Sequence, residues 1–284
     1  MKLQKIWTIS FIIILISFTA FVILDTFIIP RSYMKVEITN ESTAENESLD
    51  ESAEITVTTY REYDTTIYVA DVKFSNVSEI QAAFANDTYG RNIKAVTSSI
   101  AEHNDAILAI NGDFYGARDA GYVIRNGVLY RDDSSGSDQE DLVIYKDGSM
   151  ECIREGDISA KELLQNGAWH VFSFGPALLS HGQTMVDKDD EVEQSMVDNP
   201  RTAVGIIDNN HYIILVADGR TDESVGLKLY QLAAFMKKLG VVTAYNLDGG
   251  GSSTMYYQGK VINNPTTNGD EIKERRVSDI VFIR

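Results

Sequence analysis

Nineteen consecutive uncharged residues, Ile6 to Leu24, divide this chain into two unlike parts. At about 1.5 Å per residue the run covers roughly 30 Å, the hydrocarbon thickness of a bilayer. Lys2 and Lys5 precede it and an acidic segment follows, which places the N-terminus in the cytoplasm by the positive-inside rule. The run is longer than the roughly 7–15 apolar residues of a signal-peptide core, and no clean A-x-A cleavage site follows it. Residues 1–30 are therefore expected to form a signal anchor, a single transmembrane helix of the cell membrane with everything after it outside.

The next segment, residues 31–54, reads as an acidic flexible linker. Its stretch VEITNESTAENESLDESAE has seven carboxylates, no aromatic residue and no helical apolar stripe. Such a segment buries too little surface to offset its ordering entropy, and it would hold a folded part away from the membrane. Residues 55–284 then form one large domain. With 42 Asp and Glu against 25 Lys and Arg, the net charge of −17 disfavours a nucleic-acid partner. The single cysteine, Cys152, excludes an internal disulfide framework and a multi-thiolate zinc site, and no metal site or cofactor is expected. Asn40, Asn46, Asn76 and Asn86 lie in glycosylation sequons, which matter only in a glycosylating host.

Periodicity inside the domain mixes many strands with a few helices. ITVTTYRE and TTIYVADVKF alternate as half-buried strands. Asn126-Gly127 and Asp147-Gly148 mark hairpins, and Asn209-Asn210 joins TAVGIID to HYIILVAD. SEIQAAFA, NIKAVTSSIAEHN and VGLKLYQLAAFMKKLG read as helices, the last closed by Gly240. The predicted class is α/β, α+β-like: a strand-rich mixed sheet with several helices, antiparallel pairs prominent, in a single large domain.

Three apolar strands end on an aspartate beside glycine. AILAI runs into Asn111-Gly112-Asp113, IILVA into Asp218-Gly219-Arg220, and TAYNL into Asp248-Gly249-Gly250-Gly251-Ser252. Open sheets with parallel strands gather ligand loops at such ends. Asp-Gly is also the commonest turn dipeptide, so Asp113 or Asp218 alone reads first as a solvated turn. Three successive glycines cost backbone entropy that a plain turn seldom needs. They point to a loop whose main chain approaches a phosphate or sugar closely, its N–H groups cradling an anionic oxygen. The pattern is neither a P-loop, nor a dinucleotide fingerprint, nor a nucleophile elbow.

In order along the chain, INGDFYG, FGPALLSHG, NPRTAVGI, VADGR, NLDGGGSSTM and VINNP…ERRVSD resemble the phosphodiester glycosidase family over roughly residues 55–284. The resemblance implies hydrolysis of a sugar-1-phosphodiester, GlcNAc-1-phosphodiester-like, to free sugar and a phosphomonoester, in cell-envelope or exopolysaccharide metabolism. It implies Asp113 and Asp248 as the catalytic carboxylates, with Arg201 binding the phosphate. The expected substrate contacts are Asn111, Gly112, Phe114, Asn199, Thr202, Asp218, Arg220, Asn246, Gly249, Gly250, Gly251, Ser252 and Arg275. A phosphate leaving group suits this set, because its oxygen tolerates negative charge and an arginine binds it bidentately. Arg201 also reads as a structural ion pair. Two other functions fit the same residues. One is a metal-dependent phosphoesterase with Asp113, Asp218 and Asp248 as oxygen ligands. The other is a glycan-binding module without catalysis.

Overall fold

The hairpin expected at Asn209-Asn210 forms from Arg201–Asp208 and His211–Ala217, and it lies inside the largest sheet. The computed structural model describes residues 2–36, 53–186 and 197–284. Among these residues are four α-helices: α1 (Lys2–Phe27), α2 (Thr97–His103), α3 (Ala160–Gln165) and α4 (Leu229–Lys238). The largest sheet has seven strands. Beside the hairpin lie Thr65–Lys73 and Glu54–Glu62 on one side, and Thr243–Asn246, Ala177–Ser180 and Gln183–Thr184 on the other.

Alternation along these strands feeds two cores. Ile67, Val69, Ile213 and Leu215 face α4, which answers with Leu232, Phe235 and Met236. Ala70, Val72, Ile214 and Val216 point the other way, onto Ile110, Val281, Leu142 and Phe172 of two five-stranded sheets. Both faces of the sheet's centre are thus covered, and its central strands Arg201–Asp208 and His211–Ala217 read as near-continuous apolar runs. One five-stranded sheet holds Leu108–Asn111 between Met255–Tyr257 and the terminal strand Asp279–Ile283. The other carries Glu140–Tyr145 between Met150–Arg154 and Ala168–Ser173.

The strand-rich class with helices agrees with the expectation, while the expected mixed sheet resolves into several sheets. Every strand pair among the described residues is antiparallel. Ile80–Phe84, expected as a helix in SEIQAAFA, is a strand paired with Asp279–Ile283. Tertiary pairing overrides the helix preference of its Gln and Ala residues. The short helix α3 was not anticipated, although Ser159 and Glu162 form a reciprocal capping box at its start.

Helix α1 contains a 22-residue apolar stretch, Ile6–Phe27, long enough to cross a membrane. Arg31–Lys35, counted with the linker, is instead a strand paired with Thr88–Arg91. Backbone pairing there outweighs the polar, unpatterned reading of the segment. Residues 37–52, which hold nearly all of the acidic run and the sequons at Asn40 and Asn46, lie outside the described residues.

Candidate active site

The ends of two strands and the start of a third meet at one edge of the large sheet. Arg201 pairs with Ala217, and Ala203 with Asn246, so the NPRTA, ADGR and NLDGGG segments leave the sheet side by side. Leu108–Asn111 belongs to another sheet and is joined to them by Asn111. Its Nδ2 donates to the Asp248 carbonyl (2.7 Å), and its Oδ1 accepts from the Thr202 hydroxyl (2.8 Å). Asn111 and Thr202, expected as substrate contacts, are fully buried and serve as this clamp.

Above the junction opens a cleft of about 740 Å³. Arg201, Arg220, Arg275, Asp248, Asn199 and Asn246 all line it, as do Phe114, Gly249 and Gly250. Three guanidinium groups converge there. Arg275 donates from Nη2 to both oxygens of Asp248 (3.2 and 3.0 Å) and from Nε to Ser252 Oγ (2.8 Å). Arg220 is held by Asn199 Oδ1 and by the Thr267 carbonyl. Arg201 donates to the carbonyls of Leu227 and Val197.

These cations destabilise one another. Burial, then the charge of Arg220, lowers Arg201 to about 10. Burial and Arg275 lower both Arg220 and Lys94, whose Nζ lies 5.9 Å from the centre of the Phe114 ring. Burial raises the Asp248 carboxyl, while Arg275 and Ser252 pull it back down. A cluster of like charges is costly to assemble, and an anion in the cleft would relieve the cost.

At Gly250 the glycine run does not act as the expected cradle. Gly250 N–H donates to the Pro200 carbonyl (2.8 Å), and Ser252 and Ser253 N–H donate to Gly249 and Gly250 carbonyls. Those donors are committed within the protein. Gly250 has φ +60°, and a Cβ there would stand 3.0 Å from Arg220 Nη2. The glycine lets the backbone pass close under a guanidinium, and the arginines supply the positive charge. Neither Gly251 nor Ser252 lines the cleft, and Ser252 acts through Arg275.

Asp113 stands elsewhere. Its side chain is buried, pairing with Arg125 Nη2 (2.8 Å) and accepting from the N–H groups of Tyr115 and Ser173 (both 3.0 Å). Arg125 also binds Asp279 (2.9 Å) and lies 4.0 Å from the centre of the Phe172 ring. Gly112 leaves room for this pair, since a Cβ there would meet Asp279 Oδ1 at 2.3 Å. Burial pushes Asp279 up to about 8, against the pull of Arg125. Asp113 is thus away from the cleft lining, a consequence of the arginine that neutralises it inside the fold. Behind it, Asp141 and Glu155 form a buried acidic pair. Burial and Glu155 raise Asp141 to about 9, so it holds the proton.

Asp218 is likewise withdrawn, accepting from Asn263 Nδ2 (3.1 Å) and Asn264 N–H (2.8 Å). The three aspartates have separate partners, and no group of three or more metal-ligating side chains stands together among the described residues. Among the cleft residues that sequence reasoning missed are Arg118, Asp138, Gln139, Glu140 and Phe174, with Lys94 beside Phe114. Arg118 lies 5.3 Å over the Phe174 ring, and Glu140 accepts from Ala177 N–H (2.9 Å). Phe174 precedes Gly175-Pro176, a cis peptide, inside the FGPALL motif, which was the available signal.

Comparison with known proteins supports the motif reading. A family model described as phosphodiester glycosidase matches residues 104–284. The SPbeta prophage-derived uncharacterized protein YomE of Bacillus subtilis is 31% identical over 182 residues, covering 62% of this chain and 28% of its own. The N-acetylglucosamine-1-phosphodiester alpha-N-acetylglucosaminidase of Mus musculus is 29% identical over 196 residues, covering 62% and 37%. The Homo sapiens enzyme of that name is 28% identical over 210 residues, covering 67% and 40%. The chain therefore spans less than half the length of these relatives. A solved zebrafish catalytic domain of the same enzyme, auto-inhibited by its pro-peptide, shares the fold at TM-score 0.65 and 22% identity, covering 90% of this chain and 87% of that one. A hypothetical protein from Synechocystis shares it at TM-score 0.57 and 15% identity, covering 82% and 62%. With the family match spanning more than half of the residues, this chain belongs to the phosphodiester glycosidase family.

Proposed function

We propose that the protein is a membrane-anchored, extracytoplasmic glycosidase that hydrolyses a sugar-1-phosphodiester to free sugar and a phosphomonoester. The observation that carries this reading is the convergence of Arg201, Arg220 and Arg275 around Asp248 in one cleft of a chain whose net charge is −17. The phosphate of the substrate lies among the three guanidinium groups. They stabilise the charge that grows on the leaving oxygen, so that little protonation is required. Asp248 is the carboxylate that drives attack on the anomeric carbon, directly or through a water. Arg275 holds its orientation and keeps it ionised against the effect of burial.

Asn246 supports the sugar. It lines the cleft, is 2% exposed, donates from Nδ2 to the Gly175 carbonyl, and has a buried Oδ1 without a hydrogen-bond partner. A sugar hydroxyl donating to it would satisfy that acceptor. Phe114 and Phe174 contribute apolar rings to the walls. The relatives' printed name makes N-acetylglucosamine the first sugar to try, and phosphate-linked glycans of the cell envelope are the proposed natural class. Helix α1 supports anchoring, and the flanking lysines support an outward-facing domain.

The test uses the full chain in detergent with an N-acetylglucosamine-1-phosphodiester, with and without EDTA. Free N-acetylglucosamine, undiminished by EDTA, is the expected product. N-acetylglucosamine-1-phosphate that disappears with EDTA would overturn the glycosidase reading in favour of a metal-dependent phosphoesterase. Binding without turnover would leave a glycan-binding module.

A further inference from the structure

The connection between α1 and the domain is short and fixed. After Phe27 the chain reaches the strand Arg31–Lys35 within four residues, and that strand pairs with Thr88–Arg91 in the register Arg31 with Arg91 and Lys35 with Thr88. Asn92 Nδ2 donates to the carbonyls of Thr26 (3.0 Å) and Ile29 (3.2 Å), tying the domain to the helix end itself. Arg31 pairs with Asp25, and the Tyr33 ring packs 5.8 Å from that of Tyr89. Ile28, Ile29, Tyr33 and Met34 remain exposed, at 59, 40, 58 and 49%. An exposed apolar and aromatic collar immediately after a membrane helix belongs in the headgroup layer. The acidic run therefore follows this docking point in sequence, and does not separate the membrane from the domain.

The same docking segment is joined to residues next to the cleft lining. Asn92 N–H donates to the Gly116 carbonyl (2.9 Å), two residues before Arg118, which lines the cleft. Two residues after Asn92, Lys94 Nζ lies 5.9 Å from the centre of the Phe114 ring, and Phe114 also lines the cleft. Summing extended backbone and side-chain reach puts the cleft rim within about 25 Å of the end of α1. The headgroup layer between hydrocarbon and water takes up roughly 6 Å of that distance.

We infer that the cleft takes its substrate from the bilayer that holds α1: a sugar-1-phosphodiester whose second alcohol is a lipid. This rests on the proposed glycosidase reading and names its substrate class. A fixed anchor presents the cleft to headgroups at a constant height and orientation, which replaces a search in solution by a search in two dimensions. The arginines engage the phosphate at the headgroup plane, and the sugar enters the cleft. Hydrolysis breaks the bond between the anomeric carbon and the bridging oxygen. Water supplies the hydroxyl to the sugar and a proton to the phosphate, and the phosphomonoester stays on its lipid.

The experiment compares two chains on two substrates in phosphatidylcholine vesicles. One chain is the full protein. The other carries twenty Gly and Ser residues inserted between Pro30 and Arg31, which preserves the strand pairing and frees the domain by a span of about 25 Å. The substrates are the N-acetylglucosamine-1-phosphodiesters of methanol and of dioleoylglycerol. The insertion should lower kcat/KM on the lipid diester about tenfold by loss of orientation, and leave the methyl diester within about twofold. Asn92→Gly, which keeps the residue's left-handed backbone and removes its amide, should lower the lipid-to-methyl ratio by a smaller factor in the same direction. Equal rates of the two chains on the lipid diester, with the methyl diester hydrolysed, would overturn the inference and leave the glycosidase standing. Absence of hydrolysis of both diesters would overturn the glycosidase reading, and this inference with it.

Discussion

Two Asp–Arg pairs stand at the ends of strands from two different sheets, and they do different work. Asp113 with Arg125 is closed: both side chains are almost fully buried, Asp279 shares the guanidinium, and two backbone N–H groups fill the remaining acceptor positions of Asp113. Asp248 with Arg275 is open: the arginine side chain is 38% exposed, the pair lines the cleft, and further guanidinium groups stand close by. In the first, two carboxylates bracket one cation, a stoichiometry that leaves nothing for a ligand. In the second, the cleft lining carries four arginines, Arg118, Arg201, Arg220 and Arg275, against three carboxylates, Asp138, Glu140 and Asp248. The surplus of positive charge, more than the identity of the pair, marks the place where an anion binds.

The comparison breaks most sharply at the two aspartates. Asp248→Asn should lower kcat on a sugar-1-phosphodiester by about 10³-fold or more, while the melting temperature moves little. The wild-type pH–rate profile should have its acid limb above the ordinary carboxylate range, because burial raises Asp248. Rates within tenfold of wild type would remove Asp248 from the mechanism. Asp113→Ala should behave in the opposite way. It strands Arg125 beside a single buried carboxylate and should cost about 3–5 kcal/mol of stability, measured by urea unfolding. A stable Asp113→Ala protein with abolished turnover would return Asp113 to the catalytic set.

Why the sequence shows one of these and hides the other follows from what each depends on. The strand–Asp–Gly pattern is local, so Asp113, Asp218 and Asp248 are all visible along the chain, as are the hairpins and α4. Whether an aspartate faces a cleft depends on the partner brought from elsewhere. Arg125 lies in the hairpin that Asn126-Gly127 marks, outside every family motif, twelve residues beyond Asp113. Arg201, Arg220 and Arg275 were legible because each lies inside a family motif. Lys94, Arg118 and Glu140 were not, since nothing local distinguishes them from surface charges. The strand at Ile80–Phe84 was hidden for a related reason: its Gln and Ala residues favour a helix until the C-terminal strand pairs with them.

A smaller effect sharpens the closed side. Asp141, beside Glu155 and near Asp113, has its folded-state carboxyl raised to about 9, against about 3.9 for an unfolded aspartate. The folded protein holds this proton more tightly than the unfolded chain does. The stabilisation is therefore complete below about pH 4 and is lost as pH rises toward 9, by at most about 1.4 kcal/mol per pH unit. Asp141→Asn keeps the shape, donates to Glu155 permanently and removes the titration. Thermal melts of both proteins from pH 5 to 9 should show the variant gaining on wild type as pH rises. Parallel curves would mean that Asp141 is already ionised in the folded state.

The smallest effect lies on the open side, at Asn246. If its unpartnered Oδ1 accepts from the sugar, Asn246→Ala should raise KM about threefold to tenfold, the worth of one neutral hydrogen bond. That contact exists in the ground state as well as in the transition state, so kcat should stay within about twofold. The variant also loses the donor to the Gly175 carbonyl, which could loosen the cis-peptide wall that carries Phe174. Asn246→Asp separates the two roles: it keeps an acceptor at the cleft and loses the donor to Gly175. A KM restored in Asn246→Asp assigns the effect to the sugar hydroxyl. A KM raised equally in both assigns it to the wall, and Asn246 then belongs with the closed architecture behind the cleft.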